Sequence, residues 1–259
     1  MAVAAQTDLL REYDDLLGDL STVFYARLVA LVGGLPSGSK ADLRNALIQA
    51  YPELLYPFME TSAQVGASFY EASRAASIGG GSYLATPAPV DLPDGAVGGL
   101  ARYAVSPLDR EDGIRAVTTI LAGAAQRNIL NAARDSIGHN VGLDSTAYGY
   151  ARKPSVGCCE FCAMLSTRVY DSKSIAVGVS GSGRRNKQAV GKEYHDFCRC
   201  TAVPVFGTPG SQFDDVIAVN PQAENFLDIY KQAQEMSGDA GKGESTKAIL
   251  ANMRMLMNL

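Results

Sequence analysis

The side chains best suited to chemistry in this chain are thiols and one imidazole, and they are concentrated. All five cysteines of the 259 residues fall in two windows, "GCCEFCAML" at 157–165 and "EYHDFCRCTAVPVF" at 193–206, and one of only two histidines joins them. Cys159 and Cys162 have the gap that lets two thiolates meet one ion from a tight turn. His195, Cys198 and Cys200 supply the other half. In a strand, positions 198 and 200 point to one side, and His195 can fold back across the turn. A tetrahedral Zn2+ takes four ligands. The best set is Cys159 and Cys162 with two or three of His195, Cys198 and Cys200, which leaves Cys158 as a bystander. Such an ion contributes roughly 10 kcal/mol or more to folding a small module, enough to order short strands that bury little surface themselves.

Three other chemistries compete. A disulfide suits an oxidising exterior but not a reducing cytosol. Buried thiols without a role would rarely cluster by chance. A cysteine nucleophile, Cys198 or Cys159 with His195 as base, needs a third group to orient it, and its partners are usually neighbours in space and not in sequence. A thiolate held in a closed four-ligand zinc site is not also a nucleophile. No GxSxG, HExxH or separated Ser/His/Asp set is present, so no catalytic residue is assigned. His139, near the end of a helix, suits a C-terminal capping role better than a base.

The elements that must position these groups are mostly helical. Leu10, Tyr13, Leu17, Leu20, Phe24, Leu28 and Leu31 recur at helical steps and predict a long helix over 6–32. "GGLPSGS" at 33–39 ends it, and Ser39 with Asp42 resembles a capping box opening a second helix near 40. Pro52 and Pro57 predict a break or kink, with helix resuming over 58–77. "IGGGSYLATPAPVDLPDGAVGG" at 78–99 reads as a Gly/Pro-rich arm or linker within 78–105. Ser106-Pro107-Leu108-Asp109 predicts a helix start, with Ile114, Val117, Leu121, Leu130, Ala133 and Ile137 inward and a stop at Gly138 or Gly142.

The texture changes after 143. "TAYGYARKP" reads as a short strand, "CEFCAMLSTR" as a knuckle entering a helical turn, and 174–192 as a loop. "CTAVPVF" reads as a strand placed at an edge by Pro204. Asn220-Pro221 starts another helix, 237–245 is a linker, and "STKAILANMRMLMNL" is a short amphipathic helix. The expected organisation is N-terminal helices over 1–77, the arm over 78–105, a central helix over 106–142, a zinc module over 143–210 and C-terminal helices over 211–259. The expected fold class is mainly α: a long-helix body with a small zinc-stapled α+β element in the C-terminal third.

Composition narrows the function. The chain is 47% hydrophobic and 19% charged, with a net charge of −4, so a core is expected and a basic nucleic-acid-binding excess is lacking. No unbroken run of about 18 apolar residues occurs, so no membrane span or membrane partner is expected. The start, "MAVAAQTDLLREYDDLL", carries acids where a secretory leader would be basic and then apolar, so synthesis in the cytosol is expected. The basic tip "GSGRRNK" at 181–187 offers Arg184, Arg185 and Lys187 for salt-dependent contact with DNA phosphates. The glycines of "VGVSGSGRR" lack the Lys-Ser/Thr ending of a phosphate loop. On the last helix Ile249, Leu250, Met253, Leu256 and Met257 share one face, which could pack in the core or dock on a partner over 245–259.

The pattern "CEFCAMLSTR" followed by "YHDFCRCTAVPVF", spanning about 159–206, resembles the C-terminal motif of the MuF-like minor head proteins of tailed phages. That family carries a CxxC and then an HxxCxC at the end of a helical head-morphogenesis domain. Its usual Pro-Asn after the His is Asp196-Phe197 here, similar to the branch in phages of actinobacteria. The resemblance implies a minor capsid component, made in the host cytoplasm and housed in the virion at the head interior or portal vertex. It implies portal or major capsid protein as partner, with non-specific contact to packaged DNA. Some relatives are labelled capsid maturation protease, which makes processing of scaffold or capsid protein the alternative function.

Overall fold

The computed structural model describes residues 2–35, 38–79, 82–171, 195–206, 217, 220–237 and 246–258. Among them are seven helices and one small sheet: α1 (Ala2–Gly34), α2 (Lys40–Ile78), α3 (Ala96–Ala104), α4 (Gly113–Leu143), β1 (Ala147–Lys153), α5 (Glu160–Leu165), β2 (Val169–Asp171), β3 (Thr201–Phe206), α6 (Ala223–Met236) and α7 (Thr246–Leu256). The protein is therefore mainly helical with a three-stranded sheet. Its chain divides into two compact units. One comprises Met1–Ala76, Gly81–His139 and Tyr194–Cys198; the other comprises Ser77–Gly80, Asn140–Glu193 and Arg199–Leu259.

The first unit is built on α1, α2 and α4. Phe24, Leu28 and Val32 of α1 join Leu47, Tyr51, Leu55 and Phe58 of α2 and Val117, Leu121 and Ile129 of α4 in one buried cluster. Phe24 and Phe58 meet edge to face at 5.2 Å, and Tyr13 stacks on Phe69 at 4.2 Å. Two buried hydroxyls tie α2 to the backbone of α4: Tyr51 donates to the Leu121 carbonyl at 3.1 Å and Ser62 to that of Ile129 at 2.5 Å. Burial pushes the Tyr51 phenol above its ordinary range, so it stays a donor. The helices cross closely at Gly66, where a Cβ would lie 2.4 Å from the Ala133 carbonyl oxygen.

The capping box forms as read. The Ser39 amide donates to the Asp42 carboxylate at 3.0 Å and the Asp42 amide to the Ser39 hydroxyl at 3.3 Å. The prolines do not break the second helix: α2 runs unbroken with Pro52 and Pro57 inside it. Each proline removes one helical hydrogen bond, at about 3 kcal/mol. The buried residues Leu43, Leu47, Tyr51, Leu55, Phe58 and Met59 lie on both sides of them, and keeping all these on the core face outweighs that cost.

The arm is also more structured than read. Its residues 83–88 lie against the unit's own helices. The Ala85 amide donates to Glu71 at 3.3 Å, the Ala88 amide donates to the Ser136 hydroxyl at 2.9 Å, and the Tyr83 ring sits 5.6 Å from Tyr70. The arm ends in α3, and the central helix begins at Gly113, not near 107. The capping groups there are used otherwise: Ser106 Oγ donates to the Tyr103 carbonyl and Asp109 accepts from Lys40 Nζ at 2.5 Å. Ile114, expected inward, is 51% exposed. Gly138 and Gly142 do not stop α4, which reaches Leu143; an interior glycine costs only about 1 kcal/mol, which packing overrides.

Over Thr7–Gly34, α1 is long and apolar enough to cross a bilayer by length and composition. The interrupted run in the sequence did not suggest this. One side of the helix supplies Phe24, Leu28 and Val32 to the core, while Leu16, Val23, Tyr25 and Val29 on the rest are exposed.

The second unit is organised by its sheet, ordered β2-β1-β3 and antiparallel throughout. Among the described residues β3 lies at an edge of the sheet, a place that tolerates the missing amide of Pro204, which stands opposite Tyr150. Ala151 and Val205 on one face pack with Ala223 of α6. On the other, Tyr150 stacks on Tyr170 at 5.1 Å, and the fully buried Arg152 lies over the Tyr170 ring at 5.7 Å. The Tyr170 hydroxyl donates to the Leu165 carbonyl at 2.9 Å, which fixes α5 to that face. Ala233 of α6 and Ile249 and Met253 of α7 are buried, and Asn252 donates to the Ala233 carbonyl at 3.2 Å and to the Ser237 hydroxyl at 2.9 Å.

Candidate metal centre

Each half of the thiol cluster is prepared locally. Gly157, at φ 72, turns the chain ahead of α5, and Cys159 occupies the N-cap position with extended backbone. Cys162 follows three residues later, one turn into the helix. Positions N-cap and N3 lie on the same side of a helix start, so the two thiols converge for the reason that a capping box closes. In the other half, the Cys198 amide donates to the His195 carbonyl at 3.1 Å and closes a tight turn. Phe197 takes the left-handed conformation within it, at φ 62, unusual for a bulky side chain.

The five sequence-assigned ligands come together in two overlapping groups. The ligand atoms of Cys159, Cys162 and His195 lie within 4.8 Å of one another, and so do those of Cys162, Cys198 and Cys200. Cys162 belongs to both. Thiolates bound to one Zn2+ at 2.3 Å in a tetrahedron stand about 3.8 Å apart. Cys162, Cys198 and Cys200 are buried and Cys159 is partly so, while His195 is exposed. No disulfide joins these cysteines among the described residues. Cys158 is buried but belongs to neither group.

The donor chemistry fits a metal. Thiolates with an imidazole select zinc and other thiophilic ions over oxygen-seeking ones. His195 Nδ1 lies 2.7 Å from the Asp196 carbonyl oxygen. A carbonyl can only accept, so this contact requires the tautomer with the proton on Nδ1, in which Nε2 carries the lone pair a metal would take. A backbone carbonyl on the second ring nitrogen is how metal-bound histidines are commonly oriented.

Helix α4 supports the His195–Cys198 turn with groups that the sequence reading missed. Arg134, buried, donates from Nη2 to the Cys198 carbonyl at 2.9 Å and from Nη1 to Asn131 at 2.9 Å. Arg127 pairs with Asp196 at 2.7 Å. Phe197 lies over Gly123, where a Cβ would meet its ring at 2.7 Å. Gly123, Arg127 and Arg134 follow one another at helical spacing. The signal available in the sequence was Arg134 itself, a cation among the inward positions Leu130, Ala133 and Ile137. In the second unit, Glu160 beside Cys159 is buried and accepts from Arg254 of α7. That hydrogen bond, and then the charge of Glu160, raise the Arg254 pKa.

The remaining assignments divide. Ile249 and Met253 are buried within the protein's own fold; Leu250, Leu256 and Met257 are half-buried. Arg184, Arg185 and Lys187, with the 174–192 loop, lie outside the described residues, as does most of the 237–245 linker. His139 is exposed in the last turns of α4.

Fold and site together define a helical protein with a small antiparallel sheet and a Cys/His cluster able to hold a metal ion. The chain belongs to the VG15 protein family, a family of viral proteins, which it matches over residues 4–225. The match takes in all but the first two residues of α1, everything from α2 through β3, and every residue of the cluster. No curated protein and no solved structure matches the chain.

Proposed function

We propose that the protein is a structural minor head component of a tailed phage, that it associates with portal or major capsid protein during assembly, and that its Cys/His cluster holds one structural Zn2+. The observation that carries this is the convergence of four thiols and one imidazole from separate segments, in a chain of a viral family. A closed set of soft ligands on a loop-rich module is how proteins use zinc for folding and not for turnover. Cys159 and Cys162 supply two ligands, Cys198 or Cys200 a third, and His195 or the remaining cysteine the fourth. The ion would supply charge neutralisation and a fixed geometry. The resemblance to MuF-like head proteins, on the CxxC and HxxCxC motifs, supports the assembly role and a place in the virion, at the head interior or portal vertex. Contact with packaged DNA through the 181–187 tip belongs to the same proposal, with no membrane partner.

Purification of the chain with the neighbouring structural proteins of its virus tests the proposal. About one zinc per chain is expected, with the protein retained on portal or capsid protein until a chelator is added. Absence of metal, or of any such association, would overturn it. So would Cys→Ser variants that keep zinc and fold but abolish cleavage of a capsid or scaffold substrate, which would establish the processing function instead.

A further inference from the structure

We propose that helix α4 is part of the metal site: Gly123, Arg127 and Arg134 are positioning residues that set the His195–Cys198 turn before a cation arrives. This rests on the metal reading above. Three contacts of different chemistry converge on three consecutive residues, Asp196, Phe197 and Cys198. The buried Arg134 holds the carbonyl of Cys198 at 2.9 Å, Arg127 holds the carboxylate of Asp196 at 2.7 Å, and Gly123 leaves the space filled by the Phe197 ring. A buried guanidinium is costly to desolvate unless its donors are used. Here it spends one of them on the backbone of a ligand residue.

The turn itself needs that support. Phe197 at φ 62 is strained for a non-glycine residue, and such strain persists only where surroundings over-determine it. The Phe197 ring seated on Gly123 and the two arginine bonds do so. The same turn sets Nδ1 of His195 at 2.7 Å from the Asp196 carbonyl oxygen, which orients the ring. With the turn held, the cation does not have to order His195 and Cys198 itself, and that saving appears as affinity.

Outer-shell groups of metal sites typically change affinity 10- to 100-fold. In the full-length protein, zinc competition against a chromophoric chelator is expected to show a 10- to 100-fold weaker site in Arg134→Met. Arg134→Lys should be closer to wild type. Gly123→Ala should weaken the site by about tenfold, and Arg127→Ala, an exposed ion pair, by less than about threefold. The decisive variant pairs Gly123→Ala with Phe197→Gly, which removes both the clashing ring and the left-handed strain. The double variant should bind zinc no more weakly than Phe197→Gly alone. Helix content by circular dichroism shows that the body remains folded. If Arg134→Met cannot be folded, the Gly123/Phe197 cycle decides. Additive effects in that cycle, or a Gly123→Ala protein with wild-type zinc affinity, overturn this proposal alone. A wild-type chain that holds no zinc overturns the metal reading and this inference with it.

Discussion

The two units reach order by different routes. In the first, Phe24, Leu47, Leu55, Leu121, Ile129 and their neighbours form one continuous buried cluster drawn mainly from helices of 31 to 39 residues. Long helices with a shared apolar stripe need little else. In the second, the strands have 7, 3 and 6 residues, and β1 and β3 share a cluster of small size, Ala151 and Val205 with Ala223. This unit relies more on polar and special contacts: Arg152 over Tyr170, Glu160 with Arg254, Asn252 on α6. The cysteines Cys159, Cys162 and Cys200 belong to it. A region of short strands is where a bound ion adds most. The comparison teaches that four of the five cysteines stand in the unit of short strands, while Cys198 and His195 belong to the unit of long helices.

The sharpest way to break that comparison is to remove Cys162, the one ligand common to both groups. Cys162→Ser is expected to abolish metal binding and to remove the cooperative melting of the second unit, an effect of roughly 10 kcal/mol where the ion drives folding. Helicity from α1, α2 and α4 should survive. Metal analysis and circular dichroism read both, and loss of the whole fold would mean that the first unit is not self-sufficient. The complementary change is Leu55→Ala in the first unit, where the side chain is fully buried. It should cost about 2–5 kcal/mol by denaturant titration and leave zinc stoichiometry unchanged. A parallel loss of metal would sink the idea of separate routes.

Smaller changes sharpen the contrast. Tyr51→Phe leaves packing intact and removes the bond to the Leu121 carbonyl, so about 1 kcal/mol is expected from the same titration. Arg254→Ala should release α7 from Glu160 and raise amide hydrogen exchange over 246–258 without touching α2. Smallest is the capping box. Hydrogen bonds from Ser39 hold the Asp42 carboxyl below its usual range, so its contribution is present above the unfolded pKa and is lost as pH falls through the lower folded value. Ser39→Ala should flatten that acid limb; an unchanged limb would remove the cap from the account.

Legibility in the sequence followed the range of the interaction. The α1 stripe, the Ser39–Asp42 box, the edge position of Pro204 and the knuckle at Cys159 were all readable, because each depends on residues within a few positions of one another. Pro52 and Pro57 were misread because the local penalty was visible and the core on both sides was not. The cap at Ser106 was misread because Lys40, 69 residues from Asp109 in sequence, takes its acid. The arm was read only as an arm or linker because its partners, Glu71 and Ser136, lie on α2 and α4. Arg134 was the clearest missed signal: an inward cation whose partner, the Cys198 carbonyl, is 64 residues away.

By itself the sequence determined that the chain is helical, where its thiols and imidazole stand, and that two short segments space them as a metal ion would need. Periodicity and spacing are local quantities, written directly in residue order. Only tertiary structure decided that Cys162 is common to both groups able to hold an ion, and that α4 seats the turn carrying His195 and Cys198. Those are distances between residues far apart in the chain, and the folded backbone sets them.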